Sequence, residues 1–273
     1  MQQSFTMNGL QNLLYFPFKD PESRNRLLIA SAIGFAGFII PVVPWLLLLG
    51  YAGAIMKQII AGDQEPHMPD WQNWSEFLTP GAKMFGVNLI YSIPVIIPMV
   101  LGYFVMILPV FLDIFLQSPY NYNPDKFAGI YILGPFGGMA LFSIGMLFGL
   151  ALWVILPPAL SHVVAKDSFS AGFQFREWWK IWRANIGGFF LALILSGGLY
   201  MAWMLVMQVI YMTLILCIVL PFLLAFVSAY LTIIVFTLFA QAYKEGLNKL
   251  EMQAAIVRPE NQANLATPDS PAQ

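Results

Sequence analysis

LLIASAIGFAGFIIPVVPWLLLLGYAGAIM, residues 27–56, contains no Asp, Glu, Lys or Arg. A helix needs about 20 mostly apolar residues to cross a bilayer, so this stretch is long enough to span. Pro41 and Pro44 stand at its middle, however, and each removes a backbone donor and crowds the preceding turn. Pro44 also drives Val43 away from helical angles. Two geometries fit: a single kinked span, or a re-entrant hairpin that returns the chain to the side from which it came.

Three further runs lack charge: Met84–Leu112, Phe127–Ala165 and Ala184–Tyr243. The first two hold one spanning helix each, and the third holds two, joined near Gln208–Thr213. Of 273 residues 59% are hydrophobic and 10% charged, the mean hydropathy is +0.72 and the formal net charge is -1. Soluble domains carry about 25% charged residues. This composition excludes a soluble enzyme, a nucleic-acid binder with a basic surface and a disordered chain. The single cysteine, Cys217, excludes a disulfide framework and any multi-cysteine metal site; it is expected to pack as a small hydrophobe. The expected fold is an all-α integral membrane protein.

Charge chooses between hairpin and kink, because cytoplasmic loops are rich in Lys and Arg. With a hairpin, Lys19, Arg24, Arg26, Lys57, Lys83, Lys166, Arg176, Lys180, Arg183, Lys244, Lys249 and Arg258 share the cytoplasmic side. Only Lys126 lies outside, leaving 12 of 13 basic residues within. A kinked span places nine inside at best. The reading adopted is a Pro-broken re-entrant hairpin plus four transmembrane helices, with both termini cytoplasmic; five spans with an external N-terminus is the alternative. It divides the chain into a cytoplasmic N-terminal segment (1–26), one membrane domain (27–250) and a tail (251–273) expected to be disordered. Residues 1–26 mix aromatics with acids and do not read as a cleaved signal. The expected location is the plasma membrane of a prokaryote.

Two cytoplasmic segments share a design. Pro69-Asp70-Trp71, Trp74, Phe77 and Leu78 place aromatics at helical spacing before Gly81. Phe175, Trp178, Trp179, Ile181 and Trp182 fall on one arc at about 100° per residue, opposite Arg176, Glu177, Lys180 and Arg183. Both predict amphipathic helices lying in the membrane interface. Each follows a proline pair, Pro41/Pro44 or Pro157/Pro158, and runs into a spanning helix, as an internal duplication would.

At these residues the chain resembles the domain-of-unknown-function 4013 family of bacterial and archaeal multi-pass membrane proteins. The matching features are Phe18-Lys19-Asp20-Pro21, Pro41 and Pro44, Gly50-Tyr51, Gly62, Pro69-Asp70-Trp71 with Trp74, Gly81, and Tyr91 with Pro94. Phe173, Phe175-Arg176-Glu177, Asn185 and Gly187 follow, so the resemblance covers roughly residues 8–245. It implies a membrane location and the same architecture, and it carries no catalytic or binding residue with it.

The chemistry on offer is sparse. No charged side chain lies within the four assigned spans, which argues against an ion pump built on membrane carboxylates. The hydroxyls and amides there, Ser92, Ser143, Ser196 and Thr232 among them, are expected to bond between helices. Asn88 and Asn185 occupy similar places in the two halves, where each could cap a helix or both could line a cavity. Gly134, Gly138, Gly145 and Gly149 lie on one helix face that favours close packing, within the chain, between copies or with a partner protein. His67, between Glu65 and Asp70, lacks the spacing of a metal motif. His162 adjoins Ser161, and becomes a candidate base only if it meets a carboxylate such as Asp167 or Glu177 at a pocket. Arg176, Lys180 and Arg183, with Trp178 and Trp182, form a candidate contact for anionic lipid headgroups.

No cofactor and no nucleic-acid partner is expected; membrane lipids, a membrane-protein partner or a homo-oligomer are. The leading function is a non-enzymatic membrane component, an accessory subunit or an organiser of lipids and proteins. A facilitator or lipid-handling transporter is the alternative, and a lipid-modifying enzyme comes third.

Overall fold

The computed structural model describes residues 7–63, 66–116, 128–212 and 218–265; among them are helices and turns and no strand. Glu65, Lys126, Thr213 and Cys217 lie outside the described residues. The helices are α1 (Met7–Tyr15), α2 (Pro21–Ala36), α3 (Val43–Ala61), α4 (Leu78–Leu116), α5 (Ala128–Lys166), α6 (Phe175–Ala184), α7 (Ile186–Tyr211) and α8 (Leu220–Leu265). Five of them, α3, α4, α5, α7 and α8, are long and apolar enough to cross a membrane. The chain is an all-α, multi-pass membrane protein.

The stretch 27–56 folds as a hairpin, not as one kinked helix. Asp20 starts α2 as its N-cap, accepting from the Ser23 N–H at 2.7 Å and the Ser23 hydroxyl at 2.9 Å, with Pro21 at the first position, where its missing donor is harmless. After Ala36 the chain turns, and the Val43 N–H bonds to the Pro41 carbonyl at 3.0 Å across Val42, whose φ is +76° and ψ -61°. This is the rarer, positive-φ γ-turn, which is strained for a β-branched residue. Pro44 then sits in the first turn of α3. The arms are antiparallel: the Arg26 guanidinium, near the start of α2, donates to the Met68 carbonyl just beyond α3. The Trp71 indole donates back to the Arg26 carbonyl at 3.0 Å. With 19 residues α3 is about 28 Å long at ~1.5 Å per residue, enough to count as the fifth candidate span.

The chain forms two compact units, one of residues 1–86 with 157–273 and one of residues 87–156. In the first unit α3 is the enclosed helix, packed against α2, α8 and the start of α4. Gly50 and Gly81 make the last contact possible. A Cβ on Gly50 would run into the Phe77 carbonyl, and one on Gly81 into the Leu46 carbonyl. Gly62, at φ +119°, ends α3, with the Asp63 N–H reaching back to the Gln58 carbonyl at 3.1 Å.

In the second unit α4 and α5 run side by side through the predicted glycine face. A Cβ on Gly134 would stand 2.9 Å from Pro109 Cγ and one on Gly145 2.6 Å from Met99 Cγ; at Gly138 it would overlap Met106, and Gly149 faces Val95. This face is therefore covered from within the chain. The outward faces are apolar: Leu133, Phe136, Met146 and Leu147 are each 67–71% exposed.

Two expectations are corrected. Of the two predicted interfacial helices only the second is an α-helix. Residues 66–73 are non-helical, because Pro66 and Pro69 interrupt any helix and Asp70 Oδ1 takes the Gln72 N–H at 3.2 Å; a single 3-10 turn follows at Trp74–Phe77. Trp71 and Phe77 point inward, whereas Trp74 is exposed. Trp71 stacks on Tyr51 at 4.2 Å, Phe77 meets both edge-on at 5.2 and 5.3 Å, and the Tyr51 hydroxyl donates to the Pro69 carbonyl at 2.9 Å. The tail from residue 251 continues α8 as far as Leu265, since Glu251–Ala255 is a run of good helix formers. The N-terminal segment packs on α8: the Tyr230 hydroxyl donates to the Leu14 carbonyl at 3.1 Å, and the Phe18 ring lies 5.5 Å from Tyr230.

The glycine crossing makes a test. Gly50→Ala or Gly81→Ala forces backbone apart and is expected to cost about 3 kcal/mol or more, read as loss of monodisperse protein and a lower melting temperature in detergent. Gly198→Ala in α7, where nothing lies within 4 Å of the added methyl, is expected to be neutral or stabilising by up to about 1 kcal/mol.

Candidate functional site

The polar side chains of the first unit gather at one end, where α3 and α5 finish and α4, α6 and α7 begin. Asp167 is the hub. It follows α5 at φ +48°, a left-handed position that Asp tolerates better than most residues, and the Ser168 N–H closes the helix end on the Val163 carbonyl at 3.2 Å. Lys83 of α4 donates to both the backbone carbonyl and Oδ1 of Asp167 at 2.8 Å, and Lys57 of α3 stands 3.8 Å from Oδ2. The Lys83 hydrogen bond, reinforced by the charges of Lys83 and Lys57, holds the Asp167 carboxyl below its ordinary range. Exposed pairs of this kind contribute at most about 1 kcal/mol, so they set the register of three helix ends more than they stabilise the fold.

Beside this hub lies a cluster with a buried His162 and Tyr243 and an exposed Glu177 and Lys166. His162 Nδ1 is 2.6 Å from the Tyr243 hydroxyl of α8, and His162 Nε2 is 3.4 Å from Glu177 Oε2 of α6, which Lys166 also approaches at 3.6 Å. Where Tyr243 donates to Nδ1, the neutral ring carries its proton on Nε2, facing the carboxylate. Sequence reasoning named His162 and Glu177 as residues to watch and did not find Tyr243, 81 positions away; no local signal links them. His162 is 2% and Tyr243 1% exposed, so neither offers a reactive atom to a substrate. The Ser161 hydroxyl is turned back to the Pro157 carbonyl at 2.8 Å.

Asn185 occupies the N-cap position of α7 and does not cap it. Its side chain points to α8 instead: Nδ2 donates to the Ala242 carbonyl at 2.8 Å and lies 3.3 Å from Glu245 Oε2, and Oδ1 accepts from Lys249 at 2.6 Å. Gly188 leaves the space that this orientation needs, since a Cβ there would overlap the Asn185 amide. A tie between helices takes the place of the cap. Asn88, in the second unit, is half-buried, and its carbonyl accepts from Ser92 at 2.8 Å.

The hydroxyls expected to bond between helices bond within them. Ser92, Ser143, Ser196 and Thr232 each donate to the carbonyl four residues earlier, at 2.7–2.9 Å, the local acceptor nearest to hand. His67 is exposed, its N–H donating to Gln58 Oε1 at 3.0 Å. Among the described residues no three His, Cys, Asp or Glu side chains converge as metal ligands.

The amphipathic α6 differs in detail from expectation. Trp178 is fully buried, its indole donating to the Gly172 carbonyl at 3.1 Å, and Ile181 packs on Gly246 of α8. Trp178 is therefore withdrawn from the candidate lipid contact. Phe175, Trp179 and Trp182 form a stacked ladder, with ring centroids 5.1 and 4.5 Å apart. Arg176, Lys180 and Arg183 are exposed, and none has an ion-pair partner among the described residues.

The family profile described as "Protein of unknown function (DUF4013)" matches residues 33–214, about two thirds of the chain. The chain belongs to the DUF4013 family. No curated protein matches it, and no solved structure does. Within the matched residues of this DUF4013 protein, Gly50 and Gly81 permit a helix crossing, and Pro69 and Trp71 hold Tyr51 and Arg26; Asp20-Pro21, which starts α2, lies before the match.

Because its native carboxyl titrates below the ordinary range, Asp167 contributes stability that is complete above about pH 4, its unfolded value, and is lost as pH falls through the depressed native value. Melting curves of wild type and Asp167→Asn in detergent are expected to differ at neutral pH and to converge in acid. A difference that persists unchanged into acid would contradict the ion-pair account.

Proposed function

We propose that this protein is a non-enzymatic component of a prokaryotic plasma membrane, an accessory subunit that holds a membrane-protein neighbour. The observation that carries the reading is where its polar groups point. His162, Tyr243 and Asn185 are enclosed and tie α5, α6, α7 and α8 together, and Glu177, the exposed carboxylate of that cluster, is engaged by His162 and Lys166. What the chain presents outward is apolar helix surface and a free basic stripe, the surfaces with which a membrane protein meets lipids and partner helices.

Lys57, Lys83 and Lys166 meet at one end of the first unit through Asp167 and Glu177. By the positive-inside rule this end faces the cytoplasm, and the hairpin then brings the N-terminus to the same side as the C-terminus.

Native mass spectrometry of the gently extracted chain tests the reading. A membrane protein retained in fixed stoichiometry is expected; a chain that emerges alone under every mild extraction overturns the accessory-subunit role. Reporters fused at either end are both expected to be cytoplasmic, and an external N-terminal reporter would overturn the orientation.

A further inference from the structure

Helix α6 has three distinct sides. At about 100° per residue, Trp178 and Ile181 share the side buried within the unit, on Gly172 and Gly246. Phe175, Trp179 and Trp182 occupy the next sector as a stacked ladder. Arg176, Lys180 and Arg183, at spacings of four and three, make a single stripe on the sector beyond it.

Glu177 is the only acid in α6, and it could have neutralised Lys180 at a spacing of three. Instead it turns to the end of α5, 3.4 Å from His162 Nε2 and 3.6 Å from Lys166 Nζ. That contact locks one edge of α6 and leaves the three cations unpaired among the described residues. A ladder of aromatic rings next to uncompensated cations, on a short helix between two candidate spans, has the layered chemistry of a leaflet surface. Rings suit the glycerol and upper acyl region, and cations suit the phosphates.

We propose that Arg176, Lys180 and Arg183, flanked by Phe175 and Trp179, bind the phosphate groups of anionic phospholipid headgroups. The site rests on the cytoplasmic placement of this end of the protein and goes beyond the accessory role: it ties the protein to anionic leaflet lipid whatever protein it accompanies. The guanidinium groups give paired N–H donors to phosphate oxygens, and Lys180 adds a point charge between them.

The test is native mass spectrometry of the full chain in detergent micelles titrated with phosphatidylglycerol or phosphatidylcholine. Wild type is expected to retain phosphatidylglycerol about tenfold or more over phosphatidylcholine, since each surface cation contributes about a fivefold preference for anionic lipid. Arg176→Gln, Lys180→Gln and Arg183→Gln combined are expected to bring the two lipids to near-equal retention, with the melting temperature unchanged because all three side chains are exposed. Lys180→Glu alone, which restores an intrahelical acid, is expected to lose most of the preference.

Equal retention of the two lipids by wild type, or a preference that survives the triple substitution, overturns the site. Displacement of phosphatidylglycerol by inorganic phosphate alone also overturns it, because the stripe would then read free phosphate. A partner protein that is absent while the lipid preference holds overturns the accessory role and leaves the lipid site standing. The converse result removes only the site.

Discussion

The crossing of α3 and α4 at Gly50 and Gly81 is the constraint on which the first unit depends. Two carbonyls, of Leu46 and Phe77, point straight at the facing glycines, and no other residue lets the backbones approach so closely. Once they do, Phe77 is carried to the Tyr51 ring, Trp71 stacks on a face of that ring with Phe77 edge-on to both, and the Trp71 indole reaches the Arg26 carbonyl. The loop between α3 and α4 is thereby fastened to the first arm of the hairpin. Aromatic pairs of this geometry contribute about 0.5–1.5 kcal/mol each beyond burial, so several small terms, all conditional on two missing methyl groups, hold hairpin and bundle together.

The same crossing fixes where charge can go. It sets the start of α4 beside the end of α3, which brings Lys57 and Lys83 to Asp167 at the end of α5. The left-handed turn at Asp167 then directs the chain into the 3-10 turn Phe169–Phe173, whose Phe169 ring lies against Gly86 of α4. From there α6 has little freedom: Trp178 anchors one side and Glu177 another. The basic stripe is consequently a product of packing as much as of composition, because the acid that composition placed beside it is drawn off by His162 and Lys166.

Much of this was legible in the residues. Runs without charge located the long helices, and Pro41 with Pro44, weighed against the distribution of Lys and Arg, was enough for the hairpin. The glycine series at 134, 138, 145 and 149 marked a real contact face. What could not be read were contacts between residues far apart in sequence. Nothing local connects His162 to Tyr243 or Asn185 to Lys249, and periodicity assigned Trp178 to the membrane when tertiary packing had claimed it. The aromatics of Trp71–Phe77 misled for a related reason. Helical spacing suggested an amphipathic helix, but Pro66, Pro69 and the Asp70 turn prevented one, and the rings of Trp71 and Phe77 found their cover in Tyr51 instead, leaving Trp74 exposed.

The hydroxyl groups of the spans teach a more general point. Ser92, Ser143, Ser196 and Thr232 each had a carbonyl one helical turn away, and a donor in an apolar surrounding takes the acceptor that needs no rearrangement. Such residues therefore carry little information about which helices touch. Side chains too long or too rigid to bond back along their own helix, the imidazole of His162, the phenols of Tyr51 and Tyr243 and the forked amide of Asn185, must find acceptors or donors elsewhere. These are the ones that bind one segment to another here. In an apolar chain, polar reach rather than polar count distinguishes the residues that organise tertiary structure. Arg176, Lys180 and Arg183 take no part in those ties among the described residues and stay exposed.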